Sequence, residues 1–101
     1  MTRLSDTDIE ERIRDFLTER LRPFGIESMQ IERDIDPDGE EIFRARVRTR
    51  RFVETDVDVK ISIGLLRMLE DIGERRYAYL LLTSEEEGPD IRELIEGLVA
   101  E

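Results

Sequence analysis

The sequence predicts one two-layer α+β domain over residues 1–101, with a mainly antiparallel four-stranded sheet and helices packed on one face. The expected order of elements is α-β-β-β-α-β-α. Three observations predict it: apolar and charged residues alternate through residues 42–63, segments with helical apolar spacing lie on both sides, and Gly or Pro separates the segments. A chain of 101 residues is long enough for one core of two layers.

The first helix is predicted to begin after Ser5 and to end before Pro23 and Gly25. Ser5 can cap the first turn, and Asp8 stands where a capping box places its acidic partner. Pro and Gly both disfavour continuation of a helix. The apolar residues of this segment have helical spacing and are Ile9, Ile13, Phe16, Leu17 and Leu21.

The first hairpin is predicted to turn at residues 36–39, Asp-Pro-Asp-Gly. A three-residue loop of Pro37, Asp38 and Gly39, with Gly39 at positive φ, places the apolar faces of both strands on the same side. A two-residue loop would turn one apolar set toward water. The three-residue loop pairs Ile31 with Ala45 and Met29 with Val47.

A second hairpin is predicted around residues 51–53, because alternation continues to Ile63. It would pair Val47 with Val57 on the apolar face. On the charged face it would pair Arg50 with Glu54, Arg48 with Asp56 and Arg46 with Asp58. The proposed tip contains no Gly, Pro or Asn, so a wider or shifted turn and a single bent strand stay open as alternatives.

The last third of the sequence predicts a helix through Leu65–Ile72 ended by Gly73, a strand at Tyr77–Leu82, and a last helix opened by Pro89. The strand is expected parallel to the third strand and beside the first. It is apolar on both faces, so something must cover its second face. The last helix and a second copy of the chain are the two candidates. The apolar positions of the last helix are Ile91, Leu94, Ile95 and Leu98.

Composition excludes several classes of function. The net charge of −10 disfavours nucleic acid, membrane surfaces and acidic proteins as partners. The absence of His and Cys excludes disulfides, thiol catalysis, His-dependent triads and zinc sites built from those residues. No segment has the pattern of a leader peptide or of a bilayer-spanning helix, so we expect a cytoplasmic protein. We also expect no metal and no cofactor.

The predicted opening order α-β-β-β-α is similar to that of the double-stranded-RNA-binding domain, over about the first three quarters of the chain. That family presents lysines at the start of its second helix, where this sequence has Leu65-Leu66-Arg67-Met68. We therefore expect no RNA binding.

Candidate contact residues lie in the last strand and in the arginine row, which consists of Arg44, Arg46, Arg48, Arg50 and Arg51. Arginines at alternate positions can bind carboxylates, but a solvated face neutralised by neighbouring acids is the simpler interpretation. Phe52 is either an exposed contact residue or folded beneath the tip. The predicted partner-binding residues are Arg46, Arg48, Arg50, Arg51, Phe52, Tyr77 and Tyr79.

The resulting hypothesis is a non-enzymatic acidic protein-binding module, homodimeric, acting as an adaptor, chaperone-like factor or inhibitor. A basic protein is the candidate partner, because the chain carries a net charge of −10. The alternatives are a subunit of a larger assembly, and a small enzyme or ligand carrier that uses only Asp, Glu, Arg and Tyr. The segment from Asp34 to Glu41 has oxygens at alternate positions, as calcium loops do, but Pro37 interrupts it and we interpret it as a turn.

Overall fold

The computed structural model describes residues 4–86, which form two helices and a three-stranded mixed sheet. The sheet order is β1-β2-β3, with β1 antiparallel and β3 parallel to β2. The elements are α1 at Asp6–Leu21, a 3₁₀ turn at Arg22–Phe24, β1 at Ile26–Ile35, β2 at Glu41–Thr49, α2 at Thr55–Asp71 and β3 at Ala78–Ser84.

The predicted four-stranded, mainly antiparallel sheet and the predicted order of elements are wrong. Residues 4–86 run α-β-β-α-β, and β3 lies beside β2 rather than beside β1. The helix predicted from Pro89 onward lies outside the described residues.

The main error concerns Thr55–Ile63, which was predicted as a strand and forms the first half of α2. The apolar residues here fit both the two-residue period of a strand and the period of a helix, because Val57, Ile61 and Leu65 also recur every four residues. As a helix, the segment buries Ile61 and Leu65 in the core and leaves Val59 and Ile63 exposed. A connection between parallel neighbours must also cross over the sheet, which a hairpin cannot do.

The β1–β2 hairpin has the predicted register and the predicted loop. Ile31 pairs with Ala45 and Met29 with Val47. Gly39 has φ of 84°, and the backbone N–H groups of Asp38 and Glu40 both donate to Asp36 Oδ1 at 2.9 Å. Because the Asp36 carboxylate is bonded within the turn, it stabilises the hairpin as an Asx turn does.

The start of α1 and the end of α2 are as predicted, whereas α2 begins at Thr55 rather than after Ser62. The Ser5 hydroxyl accepts from the Asp8 backbone N–H at 3.2 Å, and the Asp8 carboxylate accepts from the Ser5 N–H at 3.2 Å, which completes a capping box. After α2, Gly73 has φ of 79°, and the Glu74 N–H donates to the Leu69 carbonyl at 2.9 Å. This arrangement is a Schellman motif, which favours Gly at the position of positive φ.

The core lies between the two helices and one face of the sheet. Fully buried leucines and isoleucines of this kind contribute roughly 1.5–3 kcal/mol each. Ile42 is buried as well, outside the main cluster. The buried cluster consists of Ile9, Ile13, Leu17, Leu21, Phe43, Ala45, Val47, Val53, Ile61, Leu65, Leu69 and Ala78. Neither helix of residues 4–86 is both long and apolar enough to cross a bilayer.

Candidate functional site

The face of the sheet turned away from the helices, called the open face below, carries most of the arginine row. The parallel register sets Arg44 beside Tyr79, Arg46 beside Leu81 and Arg48 beside Thr83. Tyr79 is 50% exposed and Leu81 is 49% exposed. The open face therefore combines cations on the central strand with apolar side chains on β3.

The arginine row is neutralised in part by β1, and the predicted pairs with Glu54, Asp56 and Asp58 are wrong. Arg48 Nε lies 3.0 Å from Glu27 Oε2, and Arg44 Nη1 lies 3.2 Å from Asp34 Oδ2. Arg46, at the centre of the row, forms no ion pair within residues 4–86. Among the described residues, Arg46 is thus an exposed cation without an acidic partner in the middle of the open face.

Two carboxylates meet at the end of the sheet where β2 and β3 finish. A hydrogen bond with Glu27 raises the pKa of Glu85, and the Glu27 carboxylate adds to this by repulsion. The same hydrogen bond lowers the pKa of Glu27. A hydrogen bond from Arg48 to Glu27 has a smaller effect in the same direction. Arg48 and Arg50 lie close enough to oppose the effect on Glu85, so this end of the sheet holds two acids and two arginines.

A second surface, the α2–β3 surface, consists of Val59, Ile63, Leu66, Tyr77 and Leu80. Val59, Ile63 and Leu66 share one helix face because they are spaced i, i+4 and i+7. Val59 is 50% exposed and Ile63 is 45% exposed. Leu66, Tyr77 and Leu80 line an open depression of about 340 Å³ between α2 and β3. The surface is apolar and lies on the helix side of the sheet.

The strand beside this surface has an unprotected edge. Within residues 4–86, no strand pairs with the outer edge of β3. Its sequence, AYLLLTS, contains no charged residue and no proline. The opposite edge strand, β1, carries four charged residues among ten and an irregular register between Ile26 and Ser28. Charges and bulges protect sheet edges against pairing, so β1 is protected and β3 is not.

A third feature, the Arg76 cluster, joins the start of α1 to the segment before β3. Arg76 Nε donates to Glu74 Oε1 at 2.9 Å, and Arg76 Nη2 donates to Asp6 Oδ1 at 2.6 Å. The guanidinium carbon also lies 4.4 Å from the centre of the Phe43 ring. Hydrogen bonds from Arg76 lower the pKa of Glu74 and of Asp6, where Arg33 adds to the effect.

The Arg76 cluster lies beside an open depression of about 420 Å³ that is also lined by Leu66 and Tyr77. The Glu74 side chain is 9% exposed, so the site contains an arginine, a tyrosine and a nearly buried carboxylate. A general base works best with a pKa near the operating pH. Since Arg76 lowers the pKa of Glu74, the carboxylate is poorly suited to accept a proton at neutral pH.

The predicted contact residues do not form one site. Arg46, Arg48 and Tyr79 lie together on the open face. Arg50, Arg51 and Phe52 follow the end of β2, where Phe52 is half-buried and lines a cavity of about 140 Å³ with Val53 and Leu82. Tyr77 precedes β3, and its carbonyl accepts from the Phe43 N–H at 2.8 Å near the start of β2.

Sequence reasoning missed the α2–β3 surface and the Arg76 cluster. Val59 and Ile63 could have been found from their helical spacing, had the strand period not been preferred. Arg76 and Asp6 are 70 residues apart in the chain, and no local pattern connects them. Within residues 4–86, no three Asp or Glu residues are placed to hold a metal ion together.

No family model matches the chain, and no curated protein matches it. Two solved structures share its fold. The first is described as "Mode of Action of a Putative Zinc Transporter CzrB"; it has a TM-score of 0.50 and 20% identity, covering 82% of this chain and 99% of that one. The second, its "Zn form", has a TM-score of 0.50 and 21% identity, covering 89% of this chain and 100% of that one. At this identity the likeness establishes the fold alone.

Proposed function

We propose that the chain is a non-catalytic accessory domain of a larger assembly, and that it associates with a second copy of itself through β3 and the α2–β3 surface. The observation that carries the proposal is the unprotected edge of β3. An edge strand without charges, Pro or a bulge is a template for strand addition. The acidic composition and the lack of His and Cys support a role in association rather than catalysis.

A second copy is the occupant that best fits this edge. Two β3 strands related by a two-fold axis would pair antiparallel and extend the sheet to six strands. The same axis would bring the two α2–β3 surfaces together, because both lie on the helix side of the edge. The backbone groups of β3 and the exposed side chains of Val59 and Ile63 would then be covered by one contact.

The test is the dissociation constant of the dimer, measured by sedimentation velocity over a range of concentrations. Ile63→Lys removes an apolar contact of about 1.5–3 kcal/mol, which corresponds to roughly ten- to hundredfold weaker association. Ile35→Lys is the matched control, since Ile35 is 62% exposed at the end of β1, on the protected edge. A wild type that stays monomeric at high micromolar concentration, or equal effects of both variants, would contradict the proposal.

A second candidate is favoured by the shared fold, namely an accessory domain of a metal-ion transport protein. This role needs no zinc site on the chain itself, because the domain would contribute association. Cross-linking in intact cells of the native host, followed by identification of the linked proteins, tests it. Recovery of a multispanning metal-transport protein supports this role, whereas a chain that never links to a membrane protein excludes it.

A further inference from the structure

We infer that two β3 strands pair in one particular register, antiparallel, with the Leu81 residues of the two copies facing each other on the two-fold axis. The register rests on the self-association proposed above, whereas the self-association does not depend on the register. The contact consists of residues of β3 and of the short segments on either side of it, all within residues 4–86.

The hydrogen bonds to β2 determine which backbone groups of β3 point outward. The Phe43 N–H donates to the Tyr77 carbonyl at 2.8 Å, and the Glu85 N–H donates to the Thr49 carbonyl at 2.9 Å. Between these bonds the parallel register continues without a shift, so the odd-numbered residues face β2. Successive residues of a strand direct their backbone groups to opposite edges. The residues whose backbone groups face the outer edge are therefore Ala78, Leu80, Leu82 and Ser84.

This direction restricts how two copies can pair. In an antiparallel pair, the residues that exchange backbone hydrogen bonds lie directly opposite each other. Each even-numbered residue of β3 must therefore lie opposite an even-numbered residue of the second copy. This condition requires the two-fold axis to pass through a residue, and near the middle of the strand that residue is Leu80, Leu81 or Leu82.

An axis at Leu80 is disfavoured by the segment before the strand. It would place Ser84 opposite Arg76 of the second copy, outside β3. The Arg76 backbone N–H already donates to Glu74 Oε1 at 2.9 Å. It would have to give up that bond in order to pair with Ser84.

An axis at Leu82 is disfavoured by the segment after the strand. It would place Ala78 opposite Glu86 of the second copy, which also lies outside β3. The Glu86 N–H donates to the Arg50 carbonyl at 3.0 Å, so it points toward β2 and away from the outer edge. Ala78 would therefore lose a donor.

An axis at Leu81 gives every outward-facing residue of β3 a partner within the strand. Ala78 lies opposite Ser84, and Leu80 lies opposite Leu82. The Leu81 residues form a pair without mutual backbone hydrogen bonds, which is the kind that brings side chains closest together. Leu81 is 49% exposed, and this contact would cover it.

Charge at the two ends of β3 favours a second copy as the occupant. Arg75 is exposed just before the strand, and Glu86 is exposed just after it. Antiparallel pairing places the basic start of each strand beside the acidic end of the other, and complementary charge of this kind fixes orientation and register. A second copy carries the matching pattern on the same segment.

The test uses the full chain, which contains no Cys, so that Leu81→Cys supplies a single thiol. The predicted pair places the two Cα atoms about 4.5 Å apart, within the range of about 4.4–6.8 Å that disulfides require. Oxidation by diamide at micromolar protein should give a linked dimer that sediments as a dimer at every concentration. Dithiothreitol should reverse the link.

Tyr79→Cys is the matched control, because Tyr79 is 50% exposed on the same face of the same strand. Its two copies would lie about 14 Å apart along the pair. Leu81→Cys should link at least about tenfold faster, since paired thiols have an effective concentration in the millimolar range and unpaired ones only the concentration of the protein.

A mixture of two variants tests the register without changing Leu81. The register places Tyr79 opposite Thr83 of the second copy. Tyr79→Cys and Thr83→Cys should therefore link to each other, while neither links to itself, as mass spectrometry of the linked peptides would show. This mixture decides the matter if Leu81→Cys by itself prevents association.

The outcomes separate the register from the self-association. If the wild type sediments as a dimer but the mixed pair does not link, the register is wrong and the self-association stands. The same holds if Leu81→Cys sediments as a dimer yet links no faster than Tyr79→Cys. A wild type that stays monomeric at high micromolar concentration overturns both.

Discussion

Arg76 holds together parts of the chain that are distant in sequence. Its guanidinium bonds Glu74 and Asp6 and lies over Phe43, so it ties the start of α1 to β2 and to the segment before β3. We expect Arg76→Gln to lower the free energy of unfolding by about 1.5–3 kcal/mol, since a hydrogen bond to a charged group contributes about that much. Arg75→Gln is the control: Arg75 is exposed and makes no ion pair within residues 4–86.

The pH dependence separates the charge of Arg76 from its packing. Arg76 lowers the pKa of Glu74, so the folded state binds this proton less readily than the unfolded state does. The associated stability is present above the ordinary glutamate pKa of about 4.3 and is lost as the pH falls through the lowered value. The difference between wild type and Arg76→Gln in urea unfolding should therefore be largest near neutral pH and shrink in acid. A difference that does not vary with pH would mean that Arg76 acts only by packing on Phe43.

At the scale of elements, local sequence was sufficient for α1 and for the β1–β2 hairpin. The cap at Ser5 and the apolar spacing after it define the helix. In the hairpin, only the three-residue loop places both apolar faces on the same side, so loop length determines the register. Each of these predictions depended on residues close together in the chain.

Local sequence was insufficient for α2, where strand and helix periods overlap. Alternation at Val57, Val59, Ile61 and Ile63 favoured a strand, whereas the structure uses the four-residue spacing that continues to Leu65 and Leu69. The choice depends on β3, which pairs with β2 in parallel and so requires a crossover between them. The arginine row lies along one strand and could be predicted from local sequence. Its ion-pair partners could not, because they depend on which segment lies beside that strand.

At the scale of the whole molecule, the net charge of −10 opposes compaction. The ion pairs among the described residues relieve this repulsion only locally. Pairing two opposite charges leaves the net charge of the chain unchanged. Added salt shortens the Debye length from about 30 Å at 0.01 M to about 3 Å at 1 M. Screening therefore weakens the repulsion across the whole surface and weakens the exposed ion pairs as well.

We expect the repulsion to dominate, so that the melting temperature rises as NaCl increases from 0.01 M to about 1 M. Glu11→Lys with Asp15→Lys tests the cause, because both residues are exposed on α1 and make no ion pair within residues 4–86. Each replacement removes one negative charge and adds one positive charge, so the two together change the net charge from −10 to −6. The variant should start from a higher melting temperature at low salt and gain less from added salt. If wild type and variant gain equally, salt acts by another route, such as stronger apolar burial, and net repulsion does not limit the stability of this chain.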